Sequence, residues 1–349
     1  MAATGVIEIR GVRAARGERA RGFVQIGETA TGPIRIPVVI VNGAEPGPTL
    51  SLTAGVHATE YPPIDAVMRT VNELDPQHLR GAVIAVPVAN TTMFASRMPF
   101  VSPIDGLNLN KIAPGNAEGT ISEVLAHVLL QDIIGVSEYY IDLHGGDIGE
   151  ALLPFVACSI TGNADLDRKA ELLARLYSPD VISLSADGAT VPPFAGSIVH
   201  SAARQGIVAL FAEAGGDGTL EEADVQVHVN GIKNVLRYLR AIEGDPHLVG
   251  ARSKGTRRFV MRARRSGLVR LKVAIGDRIA EGQEIAEICN MFGETVEVVR
   301  STGDGTAGLI WTHKVVNSGD PLVRCWVTEL APPLPEFDRL SDRVSEGVL

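Results

Sequence analysis

Two residues three apart, His57 and Glu60 in GVHATEY, stand where an apolar segment breaks at a glycine and a helical pattern is about to begin. A strand-to-helix turn can curl three residues so that both side chains meet one ion. Catalytic zinc takes three nitrogen or oxygen ligands from protein and leaves one position open for water. H-x-x-E also arises by chance, and either residue could as well be a cap or a surface group. A third candidate, His144, occupies a matching place: it ends the apolar run in IDLHGG and precedes two glycines. Sites gather at the carboxyl ends of strands in parallel-type sheets.

Around this trio stand further polar residues in places that suit chemistry. Asp142 lies two residues before His144, so on a strand both side chains point to one face. There it could orient a metal-bound imidazole, or it could accept backbone bonds at the strand end. Glu213 closes the apolar segment Leu210-Phe211-Ala212 in ALFAEAGG, where a carboxylate serves packing poorly and suits a general base tuned by partial burial. Arg97 and the run DGLNLNK (105–111) fall in a segment rich in Asn, Pro and Gly, 91–119. Such a long irregular stretch inside a compact domain is often functional. Arg97 could stabilise an oxyanion. Asn108, Asn110 and Lys111 could grip a substrate carboxylate, although loop asparagines also serve turns. The other six histidines, at 78, 127, 200, 228, 247 and 313, lack a paired ligand at useful spacing and read as structural or exposed.

The elements that must position these residues alternate between strand and helix. Apolar runs at 34–43, 49–54, 81–90, 138–144 and 206–213 read as strands. Periodic patterns at 62–74, 120–134, 165–177 and 221–244 read as helices, the first opened by Pro62 and Pro63 at its first turn. That order implies a layered α/β sheet. Near 245–256 the character changes to short strands and glycine turns. The expected division is 1–250 for the α/β part, with N-terminal strands at 1–33, then a β-rich unit over 251–332 and a Pro-rich, charged tail over 333–349.

With 349 residues, 45% hydrophobic and 21% charged, the chain can bury a large core. A net charge of −9 offers no surplus to neutralise phosphates, which excludes nucleic acid and anionic membranes as principal partners. The arginines between Arg252 and Arg270 alternate with apolar residues and read as a solvated strand face. Three isolated cysteines favour a reducing compartment. Without an apolar run of signal-peptide or membrane-spanning length, the expected location is the cytoplasm.

Four segments in this order, GVHATE, RMPFVSPIDGLNLNKIAPG, IDLHGG and FAEAGG, resemble the succinylglutamate desuccinylase/aspartoacylase family of zinc carboxypeptidase-like hydrolases. The likeness covers about residues 35–240. It implies a three-layer α/β/α domain with a mixed sheet. The 251–332 segment is similar to the biotinyl/lipoyl-like β domain that many bacterial members append, here without a lysine placed for biotin or lipoate. The resemblance further implies one zinc per chain on His57, Glu60 and His144, with Glu213 as the base that activates water. Arg97 would polarise the scissile carbonyl, and Asn110 with its neighbour would bind a substrate carboxylate. The expected activity is hydrolysis of a small N-acyl amino acid by a homo-oligomer; a peptidase and a non-catalytic binding protein are the alternatives. Two departures bear on the substrate: Lys111 stands where the family has arginine, and Ile-Ala-Pro-Gly (112–115) replaces its Phe-Pro-Gly. Lysine keeps the charge but not the two-pronged donor geometry.

Overall fold

A computed structural model of the protein describes residues 5–177, 181–185, 196–247 and 253–330. The expected tail at 333–349 and the expected boundary at 250/251 lie outside the described residues.

The framework is one mixed sheet. From its centre outward on one side run Val208–Glu213, Tyr139–His144, Glu45–Thr53 and Arg80–Val86, each parallel to the next. Gly32–Asn42 and Glu18–Thr29 then complete that edge antiparallel. On the other side Phe155–Ser159 runs antiparallel to Val208–Glu213 and is followed by Val181–Ser185 in parallel. Central strands such as VALFAE and YYIDLH are buried on both faces, and near-continuous apolar sequence is what that demands.

Helices cover both faces. Tyr61–Glu73, Ala164–Tyr177 and Glu222–Tyr238 pack over one side, around Val67, Leu173, Ile232 and Leu210. Ile121–Val128 and Ile198–Arg204 pack over the other, with Leu125, Ile198 and Tyr140. The mixed sheet between helices is as the sequence implies. Three details differ. The helical stretch expected over 120–134 is α-helical only for Ile121–Val128, then widens into a π-turn at Leu129–Ile133 and tightens at Ile134–Val136. The helix expected over 221–244 ends at Tyr238. The buried strand Phe155–Ser159 and the helix Ile198–Arg204 lie in stretches with no expected element; at five and seven residues they are too short for periodicity to declare.

From Ser253 onward every described element is a strand. Ser253–Arg262 pairs in parallel with Val181–Ser185 and antiparallel with Pro321–Leu330, so the main sheet runs on without interruption. Gly305–Trp311 follows next, and it also pairs with Glu150–Leu152, the short strand just beyond His144. A second sheet built on Gly267–Leu271 and Glu284–Cys289 encloses a separate core with Met261, Val323 and Cys325.

Candidate metal centre and active site

His57, Glu60 and His144 converge. One ligand atom from each can be chosen so that all three lie within 4.8 Å of one another. Glu60 is the N-cap of the Tyr61–Glu73 helix, and both its carboxylate oxygens are engaged: Oε1 is 2.9 Å from His57 Nδ1, and Oε2 is 2.9 Å from His144 Nδ1. The backbone N–H of Gly145 also donates to Oε2 at 3.0 Å. Glu60 is 3% exposed and His144 1%. Burial raises the Glu60 pKa, but the two histidines outweigh it and bring it down to about 2. The reverse holds for the rings: burial lowers their pKa values, and Glu60 more than reverses this, raising His57 and, with Asp142, raising His144 well above the usual value.

The rings are held from behind. Asn108 Oδ1 lies 3.1 Å from His57 Nε2 and also accepts from the backbone N–H of Asn110. Since that oxygen only accepts, it fixes the proton of His57 on Nε2 and turns Nδ1 inward. Asp142 Oδ1 stands 3.4 Å from His144 Nε2, an electrostatic contact rather than a short hydrogen bond, and favours the same tautomer. Asp142 is held in turn: the Thr53 hydroxyl donates to Oδ1 at 2.7 Å and so must accept from the Tyr140 hydroxyl at 2.6 Å. Burial and Asp142 push the Tyr140 pKa well above the usual phenol range, so that hydroxyl keeps its proton. Behind the site the buried His228 ring abuts the backbone of His144 and Ala214, bonds to Tyr177 Oη at 2.8 Å, and is brought down to a pKa of about 4 by desolvation.

Glu213 is the register partner of His144, so its carboxylate emerges beside the ligands on the neighbouring strand. Its Oε2 is shielded from solvent and has no hydrogen-bond partner among the described residues. Burial, then Glu60, raises its pKa well above the usual range, and Glu150 adds to this; His144 and Arg324 pull the other way. Phe211 lies against the His144 ring at 4.7 Å and Phe100 meets His57 edge-on at 6.0 Å, giving the site apolar walls.

Of the other expected residues, Arg97 is the exposed, left-handed C-cap of the short helix Thr91–Ser96. Asn110 is buried, its Oδ1 accepting from the Ile198 N–H at 3.4 Å. Lys111 is exposed. Asn108, expected among the substrate ligands, faces His57. Three groups near the site escaped the sequence reading. Asp147 is fully buried, accepts from the Thr59 hydroxyl, and receives the Phe100 N–H at 2.9 Å, so it ties the 97–102 loop to the metal loop. HGGD, with Asp147 three residues past His144, was its available signal. Glu150 and Arg324 are brought in by the strand pairing described above, which no local motif announces.

The glycine pairs after His144 and Glu213 have a packing origin. Their loops bond main chain to main chain, Gly146 N–H to the Gly215 carbonyl at 2.7 Å and Ala214 N–H to the His144 carbonyl at 3.1 Å. A Cβ at either Gly146 or Gly216 would fall on the carbonyl oxygen of Glu150.

A model of the succinylglutamate desuccinylase/aspartoacylase catalytic domain matches residues 46–239, more than half the chain. An N-alpha-acetyl-L-2,4-diaminobutyric acid deacetylase from Halomonas elongata is 29% identical over 303 residues, spanning 84% of this chain and 86% of its own. A succinylglutamate desuccinylase/aspartoacylase from Rhodobacter sphaeroides superposes with a TM-score of 0.80 at 23% identity, over 90% of this chain and 96% of its own. The product-bound ectoine utilization protein EutE (DoeB) from Ruegeria pomeroyi gives 0.82 at 20% identity, over 93% and 99%.

Proposed function

The chain belongs to the succinylglutamate desuccinylase/aspartoacylase family, and from that premise we propose that it is a zinc-dependent deacylase that hydrolyses the amide of small N-acyl amino acids. The observation that carries the reading is the meeting of His57, Glu60 and His144 with Glu213 beside them on the next strand.

The residues fit such an ion. Two imidazole nitrogens and a carboxylate make a donor set typical of catalytic zinc, and each ring is oriented through its outer nitrogen. Bound there, zinc supplies Lewis acidity and lowers the pKa of a water molecule. Glu213 holds the proton side of the reaction. Its carboxylate, shielded and raised in pKa, accepts a proton from the attacking water and returns it to the departing amine. Phe100 and Phe211 exclude bulk water, which strengthens each charge interaction inside. Arg97, close in sequence to the Asp147-tied Phe100, is the proposed partner of the carbonyl oxygen; Asn110 and Lys111 are the proposed contacts of the substrate carboxylate.

The β-rich unit over 251–332 is read as an appended biotinyl/lipoyl-like module without carrier function, in a cytoplasmic homo-oligomer. Among the described residues no helix is long and apolar enough to cross a membrane. Sedimentation of the purified protein tests the assembly: a monomer at micromolar concentration rejects it. The activity is tested by incubating zinc-loaded protein with a panel of N-acetyl and N-succinyl amino acids that includes N-alpha-acetyl-L-2,4-diaminobutyrate, the compound named for the Halomonas relative. Release of free amine from at least one member is expected; none from any member rejects the proposal.

A further inference from the structure

The strand pairing around Glu150 brings a cation to the acidic site from far along the chain. Trp311 is the register partner of Glu150, and Leu309, two residues earlier, is the partner of Arg324 on the next strand. Side chains two apart on a strand share a face, so Glu150, Trp311 and Arg324 lie on one side of a continuous ladder. The Arg324 guanidinium stacks over the Trp311 ring at 5.2 Å. Its charge reaches both Glu150 and Glu213.

Arg324 is not an ordinary structural arginine. Burial lowers its pKa, yet among the described residues it makes no hydrogen bond and no ion pair, so its donors are unspent. It has cationic company as well. Arg258, across the strand pair and likewise depressed by burial, repels it, and so does Arg262. The arginine-rich stretch read from sequence as a solvated face therefore departs from that reading at Arg258, which is half-buried. Half-buried, with its charge felt by Glu150 and Glu213 but its donors bonded to neither, the guanidinium keeps its fork free for a further anion.

We propose that Arg324 is a specificity-determining residue of the deacylase reaction and binds the carboxylate of the N-acyl amino acid through its guanidinium fork, held at the proper angle by Trp311. The inference rests on the deacylase reading above and deepens it. It also supplies from the C-terminal sheet the fork geometry that Lys111 lacks. The Arg324 charge interacts with Glu213, so a carboxylate held by its guanidinium brings the neighbouring amide toward that base.

The test compares an N-acetyl amino acid with its neutral carboxamide, using zinc-loaded wild type, Arg324→Gln and Arg324→Lys. For the carboxylate substrate, Arg324→Gln is expected to raise KM about 10- to 100-fold while kcat changes less than about 3-fold. Arg324→Lys falls between, because an ammonium keeps charge without the fork. For the carboxamide, all three proteins behave alike. Calorimetric binding of both compounds, in a Glu213→Gln background so that nothing is consumed, gives a readout independent of turnover. Equal losses for acid and carboxamide, or no loss for either, overturn the role of Arg324 and leave the deacylase reading intact if wild type is active. Failure of the Glu213→Gln protein to bind the acid at all also overturns that role. A wild type that hydrolyses nothing, while the Glu213→Gln protein binds the acid through Arg324, overturns the deacylase reading alone.

Discussion

At the scale of the residue, function divides between groups that hold and a group that works. Glu213→Gln keeps the shape of the side chain and removes its basicity. It is expected to retain zinc and lose nearly all turnover, as a metal assay alongside a rate assay would show; near-normal activity would reject Glu213 as the base. Asp142→Asn keeps the contact with His144 but removes the negative charge behind it. Zinc affinity is expected to fall about 10- to 100-fold, measured by competition with a chelator. His228 makes a prediction about pH. Its folded pKa, about 4, lies below the ordinary imidazole value of 6.5, so the unfolded chain binds the extra proton. Stability therefore rises with pH through that window, and this contribution, on the order of 3 kcal/mol, is lost as pH falls from about 6.5 to about 4. Urea unfolding across that range checks it: His228→Phe should flatten the slope, and an unchanged slope would reject the assignment. The three metal-ligand candidates were legible in the sequence because His144 ends a recognisable apolar strand, His57 and Glu60 follow another at the turn into a helix, and their motifs come in family order. Tyr140 lay within reach of the same reasoning, since it shares the strand face of Asp142 and His144. Asn108 was seen but its neighbour was not, because spacing in a loop carries no direction.

At the scale of the element, the site is made where strand ends meet. His144 and Glu213 are aligned by register, and Glu60 is aligned by the helix it caps. The glycines beyond both strands let two loops bond through their main chains. Gly216→Ala would drive a methyl group into the Glu150 carbonyl. Separation of the loops is expected to cost on the order of 1–3 kcal/mol in overpacking and to lower kcat as well, measured by thermal unfolding and steady-state rates. Long strands and helices declared themselves through periodicity. Phe155–Ser159 and Ile198–Arg204 did not, being too short, and the π-turn at Leu129–Ile133 keeps a helical apolar pattern while its hydrogen bonds change. The Thr53 hydroxyl ladder needs two strands in register, information that no single segment holds.

At the scale of the molecule, one sheet joins the part that carries the metal candidates to the strands after Ser253. A chain ended before Ser253 loses one of the two partners of Val181–Ser185 and the partner of Glu150–Leu152, and exposes unpaired edges. Such a truncation is expected to aggregate or to lose zinc, read by light scattering and metal analysis; a soluble, zinc-loaded product would show that the α/β part stands alone. The change of composition near 245–256 was visible in the sequence, but pairing between strands some 150 positions apart was not. The seam at Glu150 also bears on how this scaffold could be re-engineered. Exchanging the strands after Ser253 for those of a relative would move the Trp311–Arg324 pair, but the short strand Glu150–Leu152 to which it is laced would stay behind in the recipient. A chimera would therefore inherit the donor's substrate preference only if residues 150–152 travel with the transplant, which makes a three-residue segment next to the metal ligands the hinge on which recombination of these two halves succeeds.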